Sequence, residues 1–437
     1  MPLLLSCGSN AHGQLGVGTR EDTATFRSCL FSDNFVPSKI SKVVGIATGA
    51  NHTLLLVDYD DKGTTHHLVL GCGDGQQGQL GEREDLTTQV FQPIHIPLTE
   101  YGLQTHYHPK FVAATWETSF VVFGSENPRH PDVILSFGSN EFGDLGVGHS
   151  GTHDYPRRPF NPISLDHLWI DSGSSVRPET LKIVFITTGP RHLIVKLEVQ
   201  DESGLPSHML VGWGASRHGQ LGPRVVADTD AATKAPTARL PGPTFLSVPT
   251  HLKVDNVHPS DVVSVAMGIQ HSVLHLRSGK VIGLGSNRKH QIDGLLSVAD
   301  AQCVGATWNS TLLLRKGDVT DVWSCGSNTH GQLGTSTDIR QCCLDRIATP
   351  PTLTTDSMRL VCGSEHVLAF IPSHGSKPAE LWAWGWNEHG NLGVGDVVDR
   401  FNPVQVWPTT RRGLDGGGTL ADVWAGMGTS WILVSDP

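Results

Sequence analysis

The sequence predicts an all-β fold, a ring of seven small sheets forming a seven-bladed β-propeller, and three observations lead there. A glycine-rich motif occurs seven times in 437 residues, a second motif falls between its consecutive copies, and no stretch carries a long amphipathic helical pattern. One such unit cannot bury both faces of its sheet, whereas seven arranged radially can, and the ring leaves only short edges.

The glycine motif comes first in each unit. Its copies read CGSNAHGQLG from Cys7, CGDGQQGQLG from Cys72, FGSNEFGDLG from Phe137, WGASRHGQLG from Trp213, LGSNRKHQIDG from Leu284, CGSNTHGQLG from Cys325 and WGWNEHGNLG from Trp384. Glycine at the second place suits a strand leaving its sheet, where positive φ and close backbone approach are needed. The Asn that usually follows can bond nearby backbone. Leu15, Leu80, Leu145, Leu221, Leu333 and Leu392 recur near the end of the motif and are expected to pack between blades.

The second motif reads ATGANHTLLL from Ala47, AATWETSFVV from Ala113, TTGPRHLIV from Thr187, AMGIQHSVLHL from Ala266, GATWNSTLLL from Gly305, VCGSEHVLAF from Val361 and AGMGTSWILV from Ala425. Each copy is a small residue, a tight turn, usually a His or hydroxyl suited to bonding turn backbone, and then an apolar run of strand length. The chain opens with the strand that precedes the first motif, LLLSCG, and closes with the strand that follows the second, SWILV. These two are expected to pair within one blade and close the ring. The expected organisation is a single propeller over residues 1–437, with long loop insertions near 147–180 and 223–260 that are rich in Pro, Ser, Thr, Ala and Asp.

Composition and charge narrow the function. The hydrophobic share of 38% and charged share of 17% suit a globular protein, and 49 Gly with 26 Pro suit many short strands and turns. The formal charge of −10, without a run of five Lys/Arg, lacks the footprint of a nucleic-acid binder, so direct DNA binding is not expected. The N-terminal stretch MPLLLSCGSN has neither a basic n-region nor a span of eighteen apolar residues, so neither signal peptide nor membrane span is expected, and a cytoplasmic location, with the nucleus as a second one, is. Eight cysteines contain no C-x-x-C pair, and Cys7, Cys72 and Cys325 share one motif position, as small buried residues of a repeat in a reducing compartment would.

Few motifs in the chain depart from that repeat frame. The run GCGDGQQG from Gly71 has the glycines of a phosphate loop, but no Lys-Ser/Thr follows and it aligns as an ordinary repeat copy. Among 23 histidines, His12, His218, His330 and His389 share a loop position, and His52, His192, His271 and His366 share a turn position. Equivalent positions on different blades are rotated apart, so a structural role is expected and no metal or cofactor site is assigned. No nucleophile–base pair or carboxylate pair stands out, so no catalytic residue is named.

The tryptophans break the repeat. Trp213, Trp323, Trp382 and Trp384 fall at alternating strand positions and are expected in packing. Trp116 and Trp308 sit at turn tips where other blades carry Ala, Pro, Ile, Ser or Gly, and Trp386 holds a loop position filled elsewhere by Ser, Asp or Ala. Two readings stand for these residues: a cap on the central channel, or exposed anchors for a partner, since Trp is enriched at interface hot spots.

The alternation of G-x-N-x-x-G-Q-L-G with A-x-G-x-x-H-[ST] resembles the regulator of chromosome condensation repeat, whose family fold is a seven-bladed β-propeller. The Thr-Trp turns at Thr115-Trp116 and Thr307-Trp308, the last turn Met427–Trp431, and AWGWNEHGN in the last glycine motif are similar to the fungal alpha-tubulin suppressor propellers, also called killer toxin insensitivity proteins. That narrower resemblance implies a non-enzymatic heterodimer with a small CSL-type zinc-binding protein of the diphthamide pathway. It also implies support for Elongator-dependent modification of tRNA wobble uridines and for diphthamide formation on elongation factor two. It favours partner binding at Trp116, Trp308, Trp386, Glu388 and Trp431. The alternative is guanine-nucleotide exchange on a small GTPase, the activity of the namesake family, which the acidic chain and the missing basic tail disfavour.

Overall fold

The computed structural model describes residues 3–81, 87–103, 106–127, 129–148, 159–171, 178, 180–200, 204–222, 244–316, 320–335, 344–347, 357–408 and 418–435. Large parts of the two predicted insertions, and the adjacent pair Cys342 and Cys343, lie outside the described residues.

Seven antiparallel sheets form a seven-bladed propeller. Blade 1 runs from its inner strand Ile40–Thr48 through His52–Asp61 and Thr64–Gly73 to the outer Thr88–Pro93. The inner strands of blades 2 to 7 are Tyr107–Ala114, Thr180–Thr188, Val262–Met267, Ala301–Ala306, Arg359–Cys362 and Thr419–Ala425. Each packs beside the inner strand of the next blade for most of the circuit, as strands around one axis must. Blade 4 has three strands among the described residues, and its glycine motif, LGSNRKHQIDG, runs into the short 3-10 turn Leu295–Ser297.

The ring closes as expected. Leu3–Gly8 pairs antiparallel with Thr429–Ser435, Leu3 opposite Val434 and Gly8 opposite Thr429, so both ends of the chain share blade 7.

The core lies between blades, which explains why the strands read as near-continuous apolar runs. In Leu3–Gly8 and its partner strand, Leu5, Cys7 and Ile432 face blade 6 and its Leu368, Leu381 and Ala383. Leu4 and Trp431 face blade 1 and pack with Leu55, Leu70 and Cys72. Alternate side chains thus enter opposite interfaces, and both sets are buried. All six motif leucines are buried, as the repeat predicts.

Candidate functional site

In every blade the turn after the inner strand and the glycine loop after the third strand lie at the same end of the sheet. The pairing of His52 with Gly73 in blade 1 and of His366 with Gly385 in blade 6 fixes this. All seven turns and their glycine loops therefore make up one face, around the mouth of the central channel. Beneath the turns the channel holds a cavity of about 270 Å³, lined by small inner-strand residues such as Ala47, Thr48, Ala114 and Thr187 and by Trp308.

The turn tips are tied to one another. The Ala50 N–H donates to the Trp116 carbonyl and Trp116 N–H to Pro190, at 2.8 and 2.7 Å. Across the ring Ile269 N–H donates to Trp308, Trp308 to Ser364 and Ser364 to Gly426. Pro190 has no N–H, so it cannot pass the relay on to blade 4. Both tip tryptophans are thereby fixed at the backbone by a donor and an acceptor, each from a different blade.

Most turns follow one design. Gly49, Gly189, Gly268 and Gly363 each lie against the ring of the turn histidine, which a Cβ would overlap. The histidine then reaches the next blade: His52 Nε2 meets Ser119 Oγ at 2.9 Å, His192 meets Ser272, His271 meets Thr311 and His366 meets Ser430. Ser119, Thr311 and Ser430 spend their own proton on a carbonyl of the preceding glycine loop. His52, His271 and His366 must therefore donate from Nε2, which assigns their tautomer. Burial pushes His52 and His192 down to about 3 and His271 and His366 to about 4, so all four are neutral latches between blades.

Blades 2 and 5 use another design. Thr115 and Thr307 replace the glycine, and Thr118 and Ser310 replace the histidine. Thr115 and Thr118 both donate to the buried carboxylate of Asp144 at 2.7 Å. Thr307 and Gln332 donate to Glu365. Burial raises both carboxyls, while these hydrogen bonds pull them down.

Blades 2 and 5 are three places apart in a ring of seven, hence nearly opposite. Their tip tryptophans lean inward and meet with ring centroids 5.9 Å apart and planes inclined at 39°. Both are half-buried. The two sequence readings, channel cap and anchor, are thus compatible, since the pair lies over the axis and keeps one side open.

Trp386 sits on the same face. Its N–H bonds the Glu365 carbonyl, one residue beyond the Ser364 carbonyl that receives Trp308. Its half-buried indole rests toward Gly428, and its Nε1 reaches Glu388 Oε2 at 3.3 Å. His389 approaches edge-on, with centroids 5.1 Å apart, and itself pairs with Asp22 of blade 7. Glu388 is exposed.

Trp431 is a correction. It is 0% exposed, packs edge-on against Phe91 between blades 7 and 1, and donates to Thr429 Oγ1. Strand alternation, not the turn, sets its direction, so it is core and not part of the face. Trp213 and Trp384 are fully buried and Trp323 and Trp382 partly so, as their strand positions predict.

Sequence reading missed Arg191. The residue follows Pro190 in the blade 3 turn, and its guanidinium lies over Phe142 at 4.4 Å and 5.8 Å from the Trp116 ring. Among the described residues no group of three or more His, Cys, Asp or Glu is placed to hold a metal ion, and no helix is long and apolar enough to cross a membrane.

The family model "Regulator of chromosome condensation (RCC1) repeat" matches residues 3–56, 321–370 and 379–424. Those three stretches of the chain are similar to RCC1 repeats. Among similar curated proteins is the bovine secretion-regulating guanine nucleotide exchange factor, 27% identical over 92% of this chain and 78% of that protein. An RCC1 repeat-containing protein of Schizosaccharomyces pombe is 27% identical over 99% of both. Solved structures of the same fold include human WBSCR16 and Prp20p of Saccharomyces cerevisiae, each 18% identical with a TM-score of 0.66. Both align over the whole of this chain, covering 99% of WBSCR16 and 92% of Prp20p.

Proposed function

We propose that this RCC1-repeat propeller is a non-enzymatic docking protein. It seats a partner on the loop face, with Trp116 and Trp308 at the centre and Trp386 and Glu388 beside them. The observation that supports this reading is the half-open tryptophan pair over the axis, built by a turn design that five of the seven blades do not use. A rigid aromatic pair, backbone-anchored and ringed by polar loops, has the make-up of an interface hot spot. The partner we favour is a small CSL-type zinc-binding protein of the diphthamide pathway, in a cytoplasmic or nuclear heterodimer that supports Elongator-dependent wobble-uridine modification and diphthamide synthesis. The ground for that choice is the resemblance of AWGWNEHGN and the two Thr-Trp turns to the fungal alpha-tubulin suppressor propellers.

The test is affinity purification of the intact chain with identification of what is retained. A small zinc protein in equal amount, lost from the Trp116→Ala/Trp308→Ala variant, supports the proposal; retention of a GTPase instead sinks it.

A second reading, nucleotide exchange on a small GTPase, is favoured by the likeness to the bovine exchange factor over 92% of this chain. Exchange assays across a GTPase panel separate the two. Robust exchange by the purified propeller would establish the second.

A further inference from the structure

The loop face is electrically divided. Around Trp116, blades 1 and 2 present Asp74, Glu117 and Glu141, while blades 3 and 4 present Arg191, Arg217, Arg288 and Lys289. The acidic residues are close enough that burial and then Glu141 and Asp74 push the Glu117 carboxyl up. On the other side, Arg191 and Arg217 lie within one blade, where the Ala215 N–H bonds the Arg191 carbonyl. Arg217 and Arg288 both act on His218 between them.

The arginines and the lysine of the basic sector lack ion-pair partners. Several other basic groups on this face are matched: His389 with Asp22, His330 with Asp399, Arg400 with Asp396 and, within blade 4 itself, His290 with Asp293. Arg191, Arg217, Arg288 and Lys289 have no carboxylate partner among the described residues, in a chain whose formal charge is −10. Arg217, Arg288 and Lys289 are exposed. Arg191 Nε is buried without an acceptor, its guanidinium held by the Phe142 ring. Unpaired cations gathered beside an aromatic anchor are poised for anionic groups on a partner.

We propose that blades 3 and 4 form the docking sector for an acidic segment of a partner protein, whose carboxylates pair with Arg191, Arg217, Arg288 and Lys289. A nucleic acid fits this face less well, because a phosphate backbone crossing Trp116 would meet Asp74, Glu117 and Glu141. A protein with its own uneven charge can satisfy both sectors, and the division then fixes its orientation. The inference rests on the docking reading but tests a separate sector.

The experiment titrates the intact protein into fluorescein-labelled octaglutamate and, separately, labelled octauridylate, followed by fluorescence anisotropy at about 50 and about 200 mM salt. Octaglutamate is expected to bind more tightly than octauridylate, to weaken with salt, and to lose about tenfold in affinity to the Arg217→Glu/Arg288→Glu/Lys289→Glu variant. Should that variant fail to fold, the neutral pair Arg288→Gln/Lys289→Gln is expected to weaken binding in the same sense. Equal octaglutamate affinity for native and variant protein, or tighter binding of octauridylate, overturns the proposal. Trp116→Ala/Trp308→Ala removes the ring beside Arg191 but leaves Arg217, Arg288 and Lys289, the residues changed in the peptide test, in place, so loss of the zinc protein from that variant and loss of the acidic peptide here are read independently.

Discussion

Trp116 and Trp308 meet over the propeller axis with ring centroids 5.9 Å apart, although they come from turns on nearly opposite blades. Each is half-buried and each is held at the backbone by neighbouring turns, so the pair is positioned independently of any ligand. Contact between the rings contributes about 0.5–1.5 kcal/mol beyond area burial. Removing one ring is expected to cost the fold little and a partner much. Trp308→Ala should shift the thermal midpoint by only a few degrees while retention of the co-purifying partner falls at least about tenfold. Unfolding of the single variant at room temperature would instead make the pair part of the core.

Trp386 and Trp431 give the complementary expectation. Trp386 lies half-buried on the loop face, while Trp431 is sealed between blades 7 and 1 against Phe91. Trp431→Ala leaves a large cavity at the seam where the chain ends meet and should cost about 3–5 kcal/mol in urea unfolding. Trp386→Ala should fall well below that in the same measurement. Comparable losses would show that Trp386 carries packing and not recognition.

Much of this was legible in the sequence, and the limits have physical causes. Seven glycine loops and seven turns gave the blade number, the ring closure and the buried leucines because each is a local backbone requirement repeated in register. Trp116, Trp308 and Trp386 stood out as residues the frame did not need. Trp431 was misread because it follows a turn, whereas its direction is set by alternation in Thr429–Ser435. The meeting of Trp116 with Trp308 needs the circular order of blades, which no local pattern carries. Yet a signal was present: Thr118 and Ser310 replace histidine in the blades where Thr replaces glycine, and the next blades carry Leu193 and Val367 where a hydroxyl would have received that histidine. Arg191 had no signal, since its isolation from carboxylates exists only in three dimensions.

The buried histidines make the ring acid-sensitive. His52 and His192 titrate at about 3 and His271 and His366 at about 4 in the fold, against about 6.5 in the unfolded chain. Between those values the unfolded state binds more protons, so stability is full above about pH 6.5 and falls as the pH is lowered toward 3 to 4. Each histidine contributes up to about 1.4 kcal/mol per pH unit to that slope. His52→Gln is expected to flatten the dependence of urea-unfolding stability on pH by about one proton between pH 6 and 5. The raised carboxyls of Asp144 and Glu365 act in the opposite direction but are common to both proteins and cancel in the comparison. An unchanged slope would mean that His52 is not a neutral latch.

The exchange of glycine and histidine for threonine and a hydroxyl predicts coupling within a turn. A Cβ on Gly49 would overlap the His52 ring and also press on the Thr115 carbonyl of the next turn. Gly49→Thr alone should therefore destabilise by about 1–3 kcal/mol. With His52→Ser in the same chain the larger overlap disappears, as in blade 5, where Thr307 and Ser310 coexist. The double variant should consequently be more stable than the sum of the single effects by about 1 kcal/mol or more, leaving a residual cost from the carbonyl contact and the lost bond to Ser119. Additive effects in a double-mutant cycle would show that the two turn designs are interchangeable residue by residue, and that the placement of tryptophan on the threonine design in blades 2 and 5 is unrelated to turn geometry.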